Sequence, residues 1–275
     1  MNLRTITARA AGAGAVTALI AGGLVAATST TADAAEVTGS YACTALGSPV
    51  GSFPLSVSVP LLPPSAPAGM TITPLLGVEA HLVVPSVLLQ AAGIDGGTVD
   101  DFGMTLGSET IGAPLTVTDI ADNGDGTSTV NATGINETFT TPRAGTYDVK
   151  LPTAFTFSST SQGNPSVPVA CSTADPATLG TVALSKQASE MTVKAVKRHR
   201  VIVTVTNEYS TPSGKVVAKV GKKAFSEKLD SNGKTVFTFP KALKGKKAVF
   251  SYKGDGFTAG DSKDALGKPI SVIIK

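Results

Sequence analysis

The chain has no tryptophan, two histidines and two cysteines in 275 residues. Only 5% of its residues are aromatic and 16% are charged, so the usual materials of catalysis and aromatic recognition are scarce. It contains no Gly-x-Ser-x-Gly elbow for a nucleophile, no glycine-rich phosphate loop and no pair of ligand motifs at zinc spacing. What it has instead is 29 glycines and 17 prolines among many Thr, Ser and Val. That mixture suits short strands joined by many turns, and a length of 275 residues accommodates two domains of ordinary size.

Residues 1–34 read as a targeting segment. Arg4 and Arg9 precede the apolar stretch AAGAGAVTALIAGGLVAA, and Ala32-Asp33-Ala34 supplies small residues for cleavage before Ala35. The stretch is short and only weakly hydrophobic, which favours a cleaved signal peptide over a membrane anchor. The arginines are not adjacent, as a twin-arginine signal requires, and Cys43 is not placed as a lipid-attachment cysteine. No apolar tail or sorting motif closes the chain. The expectation is a mature chain without a transmembrane segment, extracellular, secreted or held non-covalently at the cell wall. In an oxidising compartment Cys43 and Cys171 are most simply one disulfide. Such a bridge stabilises by about 4–5 kcal/mol in the chain-entropy model. Neither cysteine has a neighbouring His or basic residue to make a reactive thiol.

The total charge of +3 hides two regions of opposite sign. Residues 35–189 carry 12 acidic side chains against Arg143, Lys150 and Lys186, a net −9; residues 190–275 carry 18 basic and seven acidic, a net +11. A shift of this size marks a domain boundary, with TADPATLGTVALSKQAS lying across it, part final strand and part linker.

Both regions read as β. In the first, FPLSVSVPLL alternates Leu55, Val57 and Val59 with polar residues, and TAFTFSS alternates Phe155 and Phe157 with threonines. PLTVTDI and TSTVNATGI flank ADNGDG as two arms of a hairpin. VPSVLLQAAGIDG is the one helical segment, with Pro85 at its start and Gly93 at its stop. A β-sandwich with one short helix is expected. In the second region MTVKAVK, RVIVTVTN, KVVAKV, AFSEKL, TVFTF, KAVFSYK and PISVIIK give seven short strands, with Asn232-Gly233 as a hairpin signal. Count and spacing predict an immunoglobulin-like sandwich. The predicted organisation is a signal peptide (1–34), an acidic sandwich-like domain with one disulfide (35–185) and a basic immunoglobulin-like domain (186–275).

The second region also resembles the bacterial immunoglobulin-like repeat of surface and secreted proteins. Pro212-Ser213-Gly214 stands where that family has a Pro-x-Gly turn before a strand, and Tyr252-Lys253-Gly254-Asp255 matches its Tyr-x-Gly-Asp signature. The resemblance covers roughly residues 190–275 and implies a spacer or adhesive module without catalysis; the lysine content is a departure from it. The first region is similar, more loosely, to a domain of unknown function in secreted actinobacterial proteins. YACTALGSPVGSFPLSVSVPL and VPVACSTADPATLGTVAL carry that resemblance, which pairs the two cysteines and implies no activity.

Two acidic loops and two histidines compete as sites. SYKGDGFTAGDSKD offers Asp255, Asp261 and Asp264, but a calcium ion needs about six oxygen ligands and Lys253 and Lys263 flank the carboxylates, so a turn is expected. DNGDGTS from Asp122 lacks the twelfth-position glutamate of an EF-hand and reads as a hairpin tip. Asn131 and Asn136 head glycosylation-type triplets whose use is not expected. His81 lies in the apolar run GVEAHLVVP and His199 in the turn KRHR, so neither reads as a general base. No catalytic residue, metal or cofactor is assigned.

The lysines carry the one positive suggestion. Lys197, Arg198 and Arg200 form one cluster, Lys222 and Lys223 a second, and Lys241, Lys244, Lys246 and Lys247 a third. Placed in the turns of one sandwich, they are expected to ring its two ends and to contact an anionic envelope polymer or surface. Lysines without interleaved aromatics predict a salt-sensitive contact and no specific nucleic acid. Self-association of the oppositely charged regions is a further expectation. The reading is a non-enzymatic structural or adhesive envelope protein; the alternative is a secreted hydrolase, or a ligand- or calcium-binding protein, with its site in the first region.

Overall fold

The computed structural model describes residues 35–162 and 164–275; the signal-peptide reading of residues 1–34 lies outside the described residues. The chain is mainly β, and the described part belongs to one compact unit, Ala32–Lys275. Within it are two hydrophobic cores with no buried residue in common.

The first core is built on a closed barrel. Numbered in chain order, its strands are β1 (Ala35–Ala45), β2 (Ser48–Val59), β5 (Gly77–Pro85), β6 (Gly96–Val99), β9 (Leu115–Asp122), β10 (Thr127–Ile135), β13 (Ala154–Ser161) and β14 (Asn164–Ser172). They run β1-β14-β13-β6-β9-β10-β5-β2, and β2 returns to β1. β2 and β13 alternate as their sequences predict: Leu55, Val57, Val59, Phe155 and Phe157 are buried. The sandwich expected for residues 35–185 is corrected here. Period-two alternation identifies a strand's buried face but not whether the sheet's two edges meet. They meet because the long β1 pairs with both β2 and β14, and Cys43 stands directly opposite Cys171 across the β1–β14 ladder.

A second sheet shares that core. It comprises β3 (Ser65–Pro67), β15 (Thr178–Ser185), β12 (Gly145–Lys150), β7 (Gly103–Leu106) and β8 (Glu109–Gly112) in that order, and β4 (Thr71–Ile72) pairs separately with β11 (Phe139–Thr140). Met104, Leu106, Val149 and Val182 bring the sheet's buried face into the barrel's cluster. Helix α1 (Ser86–Ala92) follows β5 directly, between Pro85 and a left-handed Gly93 (φ 61°), as expected.

The C-terminal region has the seven expected strands: β16 (Glu190–Val196), β17 (Arg200–Thr206), β18 (Lys215–Val220), β19 (Lys223–Lys228), β20 (Lys234–Thr238), β21 (Lys247–Tyr252) and β22 (Ser271–Ile273). They form two sheets, β16-β17-β20 and β19-β18-β21-β22. Val201, Val203 and Val205 of one sheet share a core with Val216, Ala218, Ala248 and Phe250 of the other. One expectation fails locally. Asn232-Gly233 does not close a hairpin, since β19 and β20 belong to different sheets. The turn is capped instead by Asp230, whose Oδ1 accepts the amides of Asn232 and Lys234 at 2.9 Å each. An Asn-Gly pair dictates the local reversal, not which sheet the next strand joins.

The two halves of the family resemblance touch. Tyr252 Oη donates to Ser213 O at 2.6 Å, and Asp255 Oδ2 accepts from Ser213 N and Oγ at 2.7 and 2.8 Å. Gly214 and Gly254 are both left-handed (φ 90° and 76°), and a Cβ on Gly214 would stand 2.8 Å from Gly254 O. The Pro-Ser-Gly turn and the Tyr-x-Gly-Asp loop are therefore one packed unit.

The segment Lys186–Ser189, expected to be partly linker, is docked. Gln187 is 6% exposed. Its amide nitrogen donates to Ala68 O on the barrel side, while its side-chain oxygen accepts Tyr209 N (2.9 Å) on the other. Its own backbone is bonded to Phe257 O and by Ala259 N. Phe257 packs against the first core although it lies in a loop of the second, and the Arg143 guanidinium sits 5.9 Å from its ring centre.

Candidate functional site

The strand directions decide where the cationic clusters fall. In an antiparallel chain, alternate turns share an end, and the clusters occupy the first (β16–β17), third (β18–β19) and fifth (β20–β21) turns. The ladders agree: Val196 pairs with Arg200, Arg200 with Thr238, Lys219 with Val249, and Lys247 with Ile273. His199 N donates to Lys275 O and Gly245 N to Ile274 O, joining the two sheets at that end. Lys197, Arg198, Arg200, Lys222, Lys223, Lys241, Lys244, Lys246 and Lys247 are thus gathered at one end, all exposed, and do not ring both. Lys275 adds a tenth cation, and residues 196–200, 220–223, 239–247 and 273–275 contain no Asp or Glu. Arg198 and His199 are both left-handed (φ 62° and 58°), a pair of non-glycine residues held at the tip of the first turn.

The opposite end holds the second, fourth and sixth turns, which mix Glu208, Asp230, Asp255, Asp261 and Asp264 with Lys215, Lys228, Lys234, Lys253, Lys263 and Lys268. It is also the end that meets the barrel, through Gln187, Tyr209 and Phe257. The cationic pole therefore faces away from the barrel. The loop SYKGDGFTAGDSKD lies at this mixed-charge end and is a turn whose carboxylates are engaged. Asp255 Oδ1 accepts Phe257 N and Thr258 N (2.8 and 2.7 Å), Asp261 accepts Met191 N and Lys263 N, and Asp264 accepts Leu266 N and Lys268 N. Burial pushes the Asp255 carboxyl up, but the donors from Ser213, Phe257 and Thr258 outweigh it and hold it below the usual range.

The barrel loops behave similarly. DNGDG is the β9–β10 hairpin tip, where Asp122 Oδ1 accepts Gly124 N and Asp125 Oδ1 accepts Thr127 N and Oγ1. Among the described residues no group of three or more His, Cys, Asp or Glu is placed to hold a metal ion. His81 lies on the outer barrel surface, its Nδ1 2.7 Å from Asn131 Oδ1, and Asn131 Nδ2 donates to Asp119. His199 Nδ1 is 3.0 Å from Lys275 O. Asn136 is fully buried: its Oδ1 accepts Leu75 N and Leu76 N, and its Nδ2 donates to Thr73 O and Glu137 O. It pins the β4–β5 connection to the end of β10, a structural role that a glycosylation-type triplet conceals.

The sequence did not announce a cavity, yet the barrel holds one of about 320 Å3. Six of the eight strands wall it, with Phe53, Val84, Val130, Phe157 and Val169 among the side chains, and the Cys43–Cys171 bridge on one side. Leu88, Leu89, Ala91 and Ala92 of α1 lie over it. Among the described residues Ser159 is the only polar side chain in the lining, and its Oγ donates to Val167 O at 2.8 Å. A second void of about 30 Å3 lies further in and shares Leu82, Val130 and Phe157 with the first. The available signal was α1 itself: Ser86–Ala92 contains no charged residue, yet Val87 and Leu88 are exposed.

No family model and no curated protein matches the chain. A crystal structure of a Corynebacterium diphtheriae protein proposed to be membrane anchored is similar at 15% identity, with a TM-score of 0.34. The match covers 87% of this chain and 58% of that one, so the chain spans less than two thirds of that protein's length. Among the described residues no helix is long and apolar enough to cross a membrane.

Proposed function

We propose that this chain is an exported, non-catalytic envelope protein that rests on an anionic polymer through the cationic pole of residues 186–275. The observation carrying this reading is the segregation of charge along one axis. Ten cations with no intervening carboxylate occupy the end remote from the barrel, while the carboxylates of the module's turns all lie at the end beside it, balanced there by Lys215, Lys228, Lys234, Lys253, Lys263 and Lys268. Exposed lysines aiding solubility alone would gain nothing from being sorted this way. The seven-strand order and the contact between Ser213 and the Tyr252–Asp255 loop support an immunoglobulin-like module of the bacterial surface-repeat kind. That module would serve as the foot and the barrel would be displayed away from the surface.

The test is retention on immobilised long-chain polyphosphate. Reversing Lys241, Lys244, Lys246 and Lys247 to Glu should release the protein at low salt. Reversing Lys215, Lys228, Lys234 and Lys253 at the other end changes the net charge equally and should leave most retention intact. Equal loss from both variants would mean that net charge alone acts and that there is no pole. Head-to-tail self-association, pole to acidic barrel, would appear as concentration-dependent sedimentation at low salt.

A further inference from the structure

We infer that the barrel cavity is a binding site for one uncharged, single-chain amphiphile, whose hydrocarbon tail enters beneath α1. An eight-stranded barrel is just wide enough to be filled by side chains or to hold one small ligand. Here the inner part is filled and the outer part is not. Tyr41, Phe102 and Phe155 pack against one another, with ring centres 5.1 and 6.0 Å apart. Towards α1 the strands contribute Ala45, Val50, Val84, Val167 and Val169, which leave the space open. An apolar cavity of ~150 Å3 accommodates benzene, so by the same scale 320 Å3 takes a tail of about a dozen carbons.

The lining chooses the chemistry. Ser159 spends its one proton on Val167 O, so among the described residues no side chain inside is left to donate to a carboxylate or phosphate, and only a head's own hydroxyl is either received there or stays at the mouth. Among the described residues the mouth offers no cation. Residues 45–48, 86–95, 122–127 and 160–162 contain no Lys, Arg or His but do contain Asp95, Asp122 and Asp125. The ladder of β10 on β5 sets the Asp122–Thr127 tip beside α1, and Ser86 N donates to Gly126 O. A carboxylate or phosphate head is therefore disfavoured, and a hydroxyl or glyceryl head fits. Leu46, Val87 and Leu88 are exposed at the same end (82%, 66% and 37%), an apolar threshold for a tail leaving water.

The test titrates the full chain calorimetrically with fatty alcohols and monoacylglycerols of increasing length, each below its micellar concentration. Affinity should rise roughly fourfold per added methylene and stop rising near a dozen carbons, with one molecule bound. Dodecanoate, ionised at pH 8, should bind about tenfold more weakly than dodecanol. Ala92→Phe, at the solvent-open edge of the cavity under α1, and Val169→Phe, on the wall, fill the space and should each weaken dodecanol at least tenfold. Absence of saturable binding, affinity that climbs without a break through sixteen carbons, or undiminished binding by a folded Ala92→Phe protein would overturn the site. Equal affinity for dodecanoate would overturn the uncharged-head assignment. If Val169→Phe does not fold, the length series on the unaltered protein still decides.

Discussion

Replacing both bridge cysteines by alanine perturbs the barrel at its closing seam. Cys43 and Cys171 face each other with Cα atoms 4.0 Å apart, and 128 residues separate them in sequence. A closed loop of that length removes unfolded-chain entropy worth about 5 kcal/mol. The β1–β14 ladder holds the same seam when the bridge is gone, and both sulfurs face a cavity, so little packing is lost with them. The effect should therefore come almost wholly from the unfolded state, giving about 3–5 kcal/mol. For a chain of this size that lowers the melting temperature by roughly 10 °C. The two cores share no buried residue, so the loss should fall on the transition of the barrel and spare that of the C-terminal region. Differential scanning calorimetry reads both at once. A shift below about 3 °C, or an equal shift of both transitions, would refute the reasoning.

Three further outcomes follow from buried polar groups. Tyr41 is fully buried, its hydroxyl donates to Pro152 O at 2.7 Å, and burial pushes its pKa up to about 12. Because the folded value lies above the ordinary 10, its contribution is complete below pH 10 and is lost as pH rises towards 12. Tyr41→Phe should cost about 1–2 kcal/mol at neutral pH and flatten the alkaline limb of a pH–stability curve; an unchanged limb counts against this assignment. Asn136→Ala should cost about 2–4 kcal/mol in urea unfolding, since it strands the Leu75 and Leu76 amides; a cost below 1 kcal/mol would show that water replaces it. Gln187→Ala removes the contacts to Ala68 and Tyr209 and should separate the two calorimetric transitions by lowering the coupling between regions; transitions that remain as close as before would show that Phe257 suffices.

How far the sequence could be read depended on the range of the information. Strands were legible because alternation is local: Val201, Val203 and Val205 bury one face as their spacing predicts. The disulfide was legible because two cysteines, if bridged within the chain, leave one pairing. Barrel closure was not, since it depends on β1 finding β14 some 120 residues away, which no local pattern encodes. The Asn232-Gly233 turn was read correctly as a reversal and wrongly as a hairpin for the same reason. The cationic pole was within reach of the sequence: clusters in alternate turns of an antiparallel chain must share an end. The cavity was not, because an empty space is set by the sum of six strands' side chains. Phe257, the aromatic among glycines and aspartates in the last long loop, was a signal of docking that reads as a turn until its neighbour is seen.

The measurement that bears most directly on the central claim is co-sedimentation with isolated cell envelopes of the producing organism across a salt series, comparing the unaltered chain with the two four-lysine reversals. If the pole makes about six phosphate-like contacts, the logarithm of the binding constant should fall against the logarithm of salt with a slope of roughly −4. Reversal at Lys241, Lys244, Lys246 and Lys247 should abolish sedimentation at low salt, and reversal at the opposite end should leave the slope nearly unchanged. A chain that fails to sediment at low salt, or that sediments with no dependence on salt, would contradict the account.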